Sequence, residues 1–345
     1  MSAARHAPPP IAQQQYGSDQ AGLIYSFCFH PDGAGAEIDS AQAQAWLRAP
    51  PDGDAFLWLH FNLANAASER WLRAALPLQE DFFEALRGGS NSTRIELLDQ
   101  ALLAVINDVA FSFGLASSDI ATLWAHAQPR VLITARVKPL HSVDRLRAAV
   151  RGGAAFRSPA ALLVHLLQNQ ADALAGIVRA SGAQVDVLED RLLAQRLDDQ
   201  RAQLAAMRRS LVRLQRLLAP EPSALFRLLN RPPAWLDAAD AQALRQSSEE
   251  FALTLNDLAA LVERIKLLQE ELAARLNEQS NRTLFTLTLV TVLALPINIV
   301  AGFFGMNVGG VPLANHPHGF WVLVLLVASF SLLAGWWAFR RQRGV

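Results

Sequence analysis

Residues 283–304 read TLFTLTLVTVLALPINIVAGFF, and Gly305-Met306-Asn307-Val308-Gly309-Gly310 follows at once. These twenty-two residues contain no ionisable side chain. At about 1.5 Å per residue, a helix of that length crosses the roughly 30 Å hydrocarbon core of a bilayer. The stretch reads as a membrane span, and its polarity is uneven. Alternating steps of four and three residues from Asn277 meet Asn281, Leu284, Thr288, Thr291, Leu295 and Asn298, then Gly302. Most of these are polar or small and recur with a seven-residue period. Phe285, Leu289, Val292, Ile299 and Phe303 occupy the other faces and suit lipid or a neighbouring helix. Polar groups in hydrocarbon need internal partners or water, so a continuous polar stripe points to several copies of this helix around an aqueous path. The competing reading is a plain helix bundle, in which Thr and Asn bond between helices or Thr bonds back to its own backbone.

The exit of the span favours the pore. Gly302, Gly305, Gly309 and Gly310 crowd around Asn307, so backbone can turn sharply near a symmetry axis and expose carbonyls and the Asn amide.

At the end of the first of two C-terminal spans, Gly305-Met306-Asn307 resembles the signature of the CorA family of divalent-cation transporters. The continuation Val308-Gly309-Gly310-Val311-Pro312 resembles the zinc-transporting ZntB branch more than the magnesium branch, which usually carries an acidic residue shortly after the tripeptide. Trp58-Leu59-His60-Phe61-Asn62 with Ser68-Glu69-Arg70-Trp71-Leu72, and residues 204–220 with Arg208-Arg209 and Arg213, are also similar to that branch. The resemblance covers most of the chain.

Working outward, the 345 residues are 52% hydrophobic and 18% charged, with a formal net charge of zero. The apolar excess sits in the last sixty or so residues. Neutral overall charge and the lack of a basic run with interleaved aromatics give no sign of a nucleic-acid partner. The single cysteine, Cys28, cannot form an internal disulfide and reads as a buried small hydrophobe. Residues 1–20, rich in Ala, Pro and Gln, read as a disordered tail without a signal peptide.

From residue 21 apolar runs alternate with helical patterns. Residues 23–29, 55–61, 101–111, 120–125 and 130–135 read as strands; 40–48, 68–75 and 80–86 have helical spacing. This predicts a mixed α/β domain over residues 21–160. It contains no phosphate-cradling glycine loop, HExxH, GxSxG or paired cysteines, so no enzyme is expected. His60, His126, His141 and His165 read as structural histidines. Carboxylates near Glu80-Asp81 suit either a solvated helix start or a cytosolic cation site.

Beyond Ser158 residues 159–178 and 185–218 read as helices, broken by Ala219-Pro220-Glu221-Pro222. Asp186, Glu189, Asp190, Asp198 and Asp199 precede an arginine-rich stretch, which fits an amphipathic pair with solvated faces or, less simply, a cation-gathering surface. After Arg231-Pro232-Pro233 one helix is expected from about residue 240 through 304, about 95 Å of stalk that becomes a span. Phe251, Leu255, Leu258, Val262, Ile265, Leu268, Leu272 and Leu276 form its packing stripe. The pore register, extended backward, meets Glu270 and Glu263, which would form acidic rings if the stalks surround an axis.

Residues 319–339 form a second uncharged span, with Trp321 near one end and Trp336-Trp337 near the other. Arg275 and Arg282 precede the first span and Arg340, Arg341 and Arg343 follow the second, while residues 305–318 hold no Lys or Arg. The positive-inside rule places both termini in the cytoplasm, which implies the cell (inner) membrane.

Two spans cannot enclose a channel, so transport requires oligomerisation. The family resemblance implies a funnel-shaped homopentamer in the lipid bilayer with the first span lining the pore. Gly305, Met306 and Asn307 would form its selectivity filter, with Asn281, Leu284, Thr288, Thr291, Leu295, Asn298 and Gly302 lining the path below. Neutral oxygens suit a cation that keeps its water. His316 and His318 could capture Zn²⁺ through imidazole. The expected architecture is α+β: residues 21–160 cytosolic domain, 161–282 helical and stalk region, 283–304 first span, 305–318 external loop, 319–339 second span and 340–345 basic tail. The expected activity is divalent-cation transport without a cofactor, zinc favoured. A magnesium, cobalt or nickel (Mg²⁺, Co²⁺, Ni²⁺) channel and a membrane-anchored sensor or scaffold are the alternatives.

Overall fold

A computed structural model describes residues 17–87, 93–98, 100–109, 120–194, 200–306, 312 and 316–342. Two units divide the chain, one reaching to Gln269 and the other starting at Glu270.

The first unit is built on a seven-stranded sheet in the order β2-β1-β3-β7-β6-β5-β4. Its strands are β1 (Leu23–Phe29), β2 (Gly35–Ile38), β3 (Phe56–Asn62), β4 (Arg94–Leu98), β5 (Ala101–Val109), β6 (Ile120–Gln128) and β7 (Val131–Arg136). All neighbours are antiparallel except β3 and β7. The parallel pair needs a long crossover, which the chain between them supplies.

Alternation along β3 divides the core in two. Leu57, Leu59 and Phe61 pack with Leu72, Phe82 and Phe83 of helices α2 (Ala66–Ala75) and α3 (Glu80–Arg87). Phe56 and Trp58 face the other layer, with Leu146 of α4 (His141–Arg151), Leu163 and Leu167 of α5 (Pro159–Leu193) and Leu225 of α7 (Pro220–Asn230). Period-two alternation on a strand covered on both faces requires both sets to be apolar, and burying such side chains contributes about 1.5–3 kcal/mol each. Helix α1 (Ser40–Arg48) starts at a capping box: Asp39 accepts from Gln42 N, while Gln42 Oε1 accepts from Asp39 N.

The expected break between residues 178 and 185 is absent; α5 runs unbroken from Pro159 to Leu193. Ser181-Gly182 weakens the apolar pattern, but Ser181, Val185, Leu188 and Leu192 are all buried. One internal glycine costs about 1 kcal/mol against Ala, less than that packing returns. Helix α6 (Gln200–Leu218) follows, and Pro220 starts α7 rather than a loop, since proline is well placed at the first helical position. Cys28 is half-buried rather than buried, and burial raises its thiol pKa. It lies beside the α2/α3 core layer, which it does not enter fully.

Helix α8 (Ala238–Phe304) is one 67-residue element, as expected from its uninterrupted pattern. Phe251, Leu255, Leu258, Ile265, Leu268 and Leu272 of the expected stripe are buried. Leu261 takes the buried place expected of Val262, because seven residues fall short of two full turns of 3.6 and a seven-residue stripe therefore drifts around a straight helix. Helix α9 (Gly319–Gln342) completes the chain.

Candidate functional site

Within the second unit, α8 and α9 are both long and apolar enough to cross a membrane, with mean hydropathies of 2.2 and 2.0 in their most apolar windows. None of the α8 window is buried within the chain, so its apolar side chains await lipid or further protein. Asn277, Asn281, Leu284, Thr288, Thr291, Leu295, Asn298, Gly302 and Gly305 are all exposed along α8. So are Phe285, Val292, Ile299 and Phe303 on its other faces, and exposure in one chain does not separate a lipid face from an axis face.

The hydroxyls differ from the apolar neighbours in their bonding. Thr288 Oγ1 donates to Leu284 O at 2.8 Å and Thr291 Oγ1 to Leu287 O at 2.9 Å. Thr283 and Thr286 do the same one turn below, to Gln279 and Arg282. With the proton used internally, each hydroxyl oxygen presents only lone pairs outward, which is the polarity a cation or its water requires. Back-bonding, which competes with the pore on sequence alone, is compatible with it in this geometry.

Pro296 lies outside the polar register of the span yet changes its backbone. It sits inside α8, where it has no N–H to give to the carbonyl of Val292 four residues earlier. That frees one backbone oxygen between the Thr291 and Leu295 levels. The signal was a proline inside an otherwise helical apolar run.

Gly305 N donates to Ala301 O at 2.9 Å, closing the last turn, and Met306 is 53% exposed beyond it. Asn307, with Gly309 and Gly310, lies outside the described residues. His316 and His318 stand before α9 with ring centroids 6.0 Å apart. His316 Nδ1 accepts from His318 N at 3.2 Å, so Nε2 is the nitrogen left for a metal. Among the described residues no group of three or more His, Cys, Asp or Glu side chains could hold a metal ion.

On the stalk part of α8, Glu263 and Glu270 are both exposed, seven residues apart. Lys266 lies 2.8 Å from Glu263 and partly offsets its charge. Of the other acidic candidates, Asp198 and Asp199 lie outside the described residues, and three more are held in ion pairs. Asp186 and Glu189 of α5 both pair with Arg264. Glu80 pairs with Arg73 and Arg87, which hold its carboxyl at about 2. Those carboxylates are structural ion pairs rather than an open cation site.

The histidines are structural too. His60 is fully buried on β3, and Arg136 Nε donates to its Nε2 at 3.1 Å. A guanidinium only donates, so the ring proton is on Nδ1, facing Thr134 Oγ1 at 2.8 Å. Burial holds its pKa well below the usual value, with Arg136 and then Arg147 adding to the effect. His126 is lowered to about 4 by burial alone, and burial lowers His165 as well.

A chain with a mixed-sheet domain, two apolar helices long enough to span a bilayer, and hydroxyl oxygens turned outward along the first of them has the makings of an ion-conducting membrane protein. The chain belongs to the CorA family and is a divalent-cation transporter, not an enzyme: the family model described as "CorA-like Mg2+ transporter protein" matches residues 53–341. The divalent cation transporter CmaX of Pseudomonas aeruginosa is 30% identical over 96% of this chain and 99% of its own. The zinc transport protein ZntB of Pectobacterium atrosepticum is 25% identical over 83% and 87%. The solved structure of full-length CmaX has a TM-score of 0.78 and 29% identity, covering 95% of this chain and 99% of that one. Membership of the family, read from Gly305-Met306-Asn307 and the span beside it, is thereby borne out.

Proposed function

We propose that copies of this chain assemble around α8 into a pore for divalent cations, with zinc the preferred ion. The observation that carries the reading is the outward presentation of the Thr288 and Thr291 oxygens in one register with Asn281 and Asn298. Two spans cannot enclose a path, and the family resemblance implies five copies, so each polar level becomes a ring of neutral oxygens. Such rings substitute for bulk water without gripping the ion as carboxylates would. Leu284 and Leu295 form apolar constrictions between them, and Gly305, Met306 and Asn307 make the outer filter. The carbonyl released by Pro296 adds an oxygen at mid-span. Glu263 and Glu270 raise the local cation concentration at the inner entrance.

The preference for zinc rests on His316 and His318, whose imidazoles suit Zn²⁺ better than Mg²⁺, and on the likeness to ZntB. The arginines flanking both spans put the termini and the sheet domain in the cytoplasm, with residues 305–318 outside. Flux of Zn²⁺ and of Mg²⁺ into proteoliposomes, for the native chain and for Asn298→Ala and Asn307→Ala, tests the reading. Zinc flux altered by both substitutions is the expected result. Magnesium flux alone would move the preference to the other branch, and flux of neither ion would overturn the pore.

A further inference from the structure

A second polar centre lies inside the sheet domain, unrelated to the ion path. Glu221, in the first turn of α7, is 1% exposed, and Gln170 of α5 is 3% exposed beside it. Gln170 Nε2 donates to Glu221 Oε2 at 3.0 Å and to the backbone oxygen of Asn107 on β5 at 2.7 Å. That uses both amide protons. Gln170 Oε1 is buried and has no hydrogen-bond partner. A carboxylate accepts only and can do nothing for that oxygen.

One added proton resolves both deficits. A protonated Glu221 gains an O–H donor, and a small rotation of the side chains brings it to Gln170 Oε1. Acid and amide then exchange two hydrogen bonds instead of one, and no buried oxygen is orphaned. We infer that Glu221 is a proton-operated latch: its protonated carboxyl fastens α7 to α5 and β5 through Gln170, and loss of that proton loosens α7.

The surroundings favour the proton. Asp108, the neighbouring carboxylate on β5, is also buried, and burial raises its pKa too, but against three donors, Ser142 Oγ, Ser142 N and Val109 N. Glu221 has one donor. Burial pushes its pKa up to about 8, against the Gln170 hydrogen bond and with the help of the Asp108 charge. The amino-terminal dipole of α7 favours the anion, but by less than the cost of burying it. Among the other charged groups on the packed elements, His141 on α4 acts on Asp108, Arg208 on α6 is half-buried, and Asp172, Arg216 and Arg227 are exposed on α5, α6 and α7. On β4, which packs against α7, Arg94 is half-buried and Glu96 exposed. Helix α7 leads through residues 231–237 directly into α8, so the latch governs the segment from which the long helix starts.

Thermal unfolding of the full-length protein in detergent, compared with Glu221→Gln from about pH 5 to about pH 9.5, tests the latch. The uncharged variant mimics the protonated side chain. The native chain should lose melting temperature relative to the variant as pH rises toward about 8, then hold a constant offset above it. Parallel curves over the whole range would overturn the proposal. Should the variant fail to fold, hydrogen exchange in the native chain decides alone, after correction for intrinsic rates. Residues 220–230 should lose protection above about pH 8 while residues 141–151 keep theirs. Unchanged protection over 220–230 would overturn the latch. Neither readout depends on which ion is carried.

Discussion

Asp108, at the end of β5, accepts the backbone N–H of Ser142 in the first turn of α4, 3.1 Å away. Its carboxylate also accepts the Ser142 hydroxyl and the N–H of Val109. Helix α4 has Leu140 at its N-cap, which offers no side-chain acceptor. The strand therefore caps the helix, doing across 34 residues what Asp39 does locally for α1.

Asp108→Ala should cost about 1–3 kcal/mol, because it leaves two buried donors of Ser142 and the start of α4 unsatisfied. Chemical denaturation of the full chain, followed by circular dichroism, measures it. A loss no larger than that of an exposed alanine substitution would show that water replaces the carboxylate.

His60 makes stability depend on acid. Its folded pKa lies below the ordinary value near 6.5, so its contribution is fully present above about pH 6.5 and is lost as pH falls toward the folded value. His126 acts in the same direction, losing its contribution between about pH 6.5 and about pH 4. Below pH 6.5 the melting temperature of the native chain should fall more steeply than that of His60→Gln. Equal slopes would mean that His60 is as easily protonated folded as unfolded.

Thr288→Ser and Thr291→Ser keep an oxygen whose proton can return to the helix backbone, whereas Thr→Val at either position keeps shape and removes it. Ion flux should survive the serine changes and fall by about tenfold or more with valine, the scale of one lost ion–oxygen interaction of about 1.4 kcal/mol. Valine variants conducting as well as serine variants would place those hydroxyls away from the path.

Glu263→Gln with Glu270→Gln should reduce flux several-fold at low ionic strength and little at high, since exposed charges act through a field that salt screens. Glu270→Gln should have the larger effect, because Lys266 already offsets part of the Glu263 charge. Flux independent of both substitutions at low salt would remove the acidic rings from the mechanism.

His316→Ala with His318→Ala should weaken zinc uptake and leave any magnesium uptake unchanged. The two rings are spaced so that one metal could bridge them, and hexahydrated magnesium has little use for imidazole. Isothermal titration with Zn²⁺ at pH 7 separates binding from flux. An unchanged zinc affinity would leave the pair as ordinary loop histidines.

Long-period features of the fold were legible in the residues. Strand β1, helix α1, the unbroken α8 and the starts of α3 and α9 follow from apolar spacing and end signals that act within a few residues. Strands β2 and β4 and helix α4 were not read. Both strands are edges with mostly exposed or half-buried residues, so they lack the alternation that marks a strand. Helix α4 carries its cap on another element. The candidate path was legible as a register along α8, but the direction of each threonine proton and the carbonyl freed at Pro296 needed backbone geometry.

Two apolar spans, one helix joining stalk to membrane, and the family are all legible along the chain, because length, charge and heptad spacing are properties read along one axis. Which polar groups share a buried space is set by the folded packing alone. Asp108 with Ser142, His60 with Arg136, and Glu221 with Gln170 are 34, 76 and 51 residues apart. Their protonation and bonding depend on burial and on partners brought from elsewhere, and no local pattern encodes either.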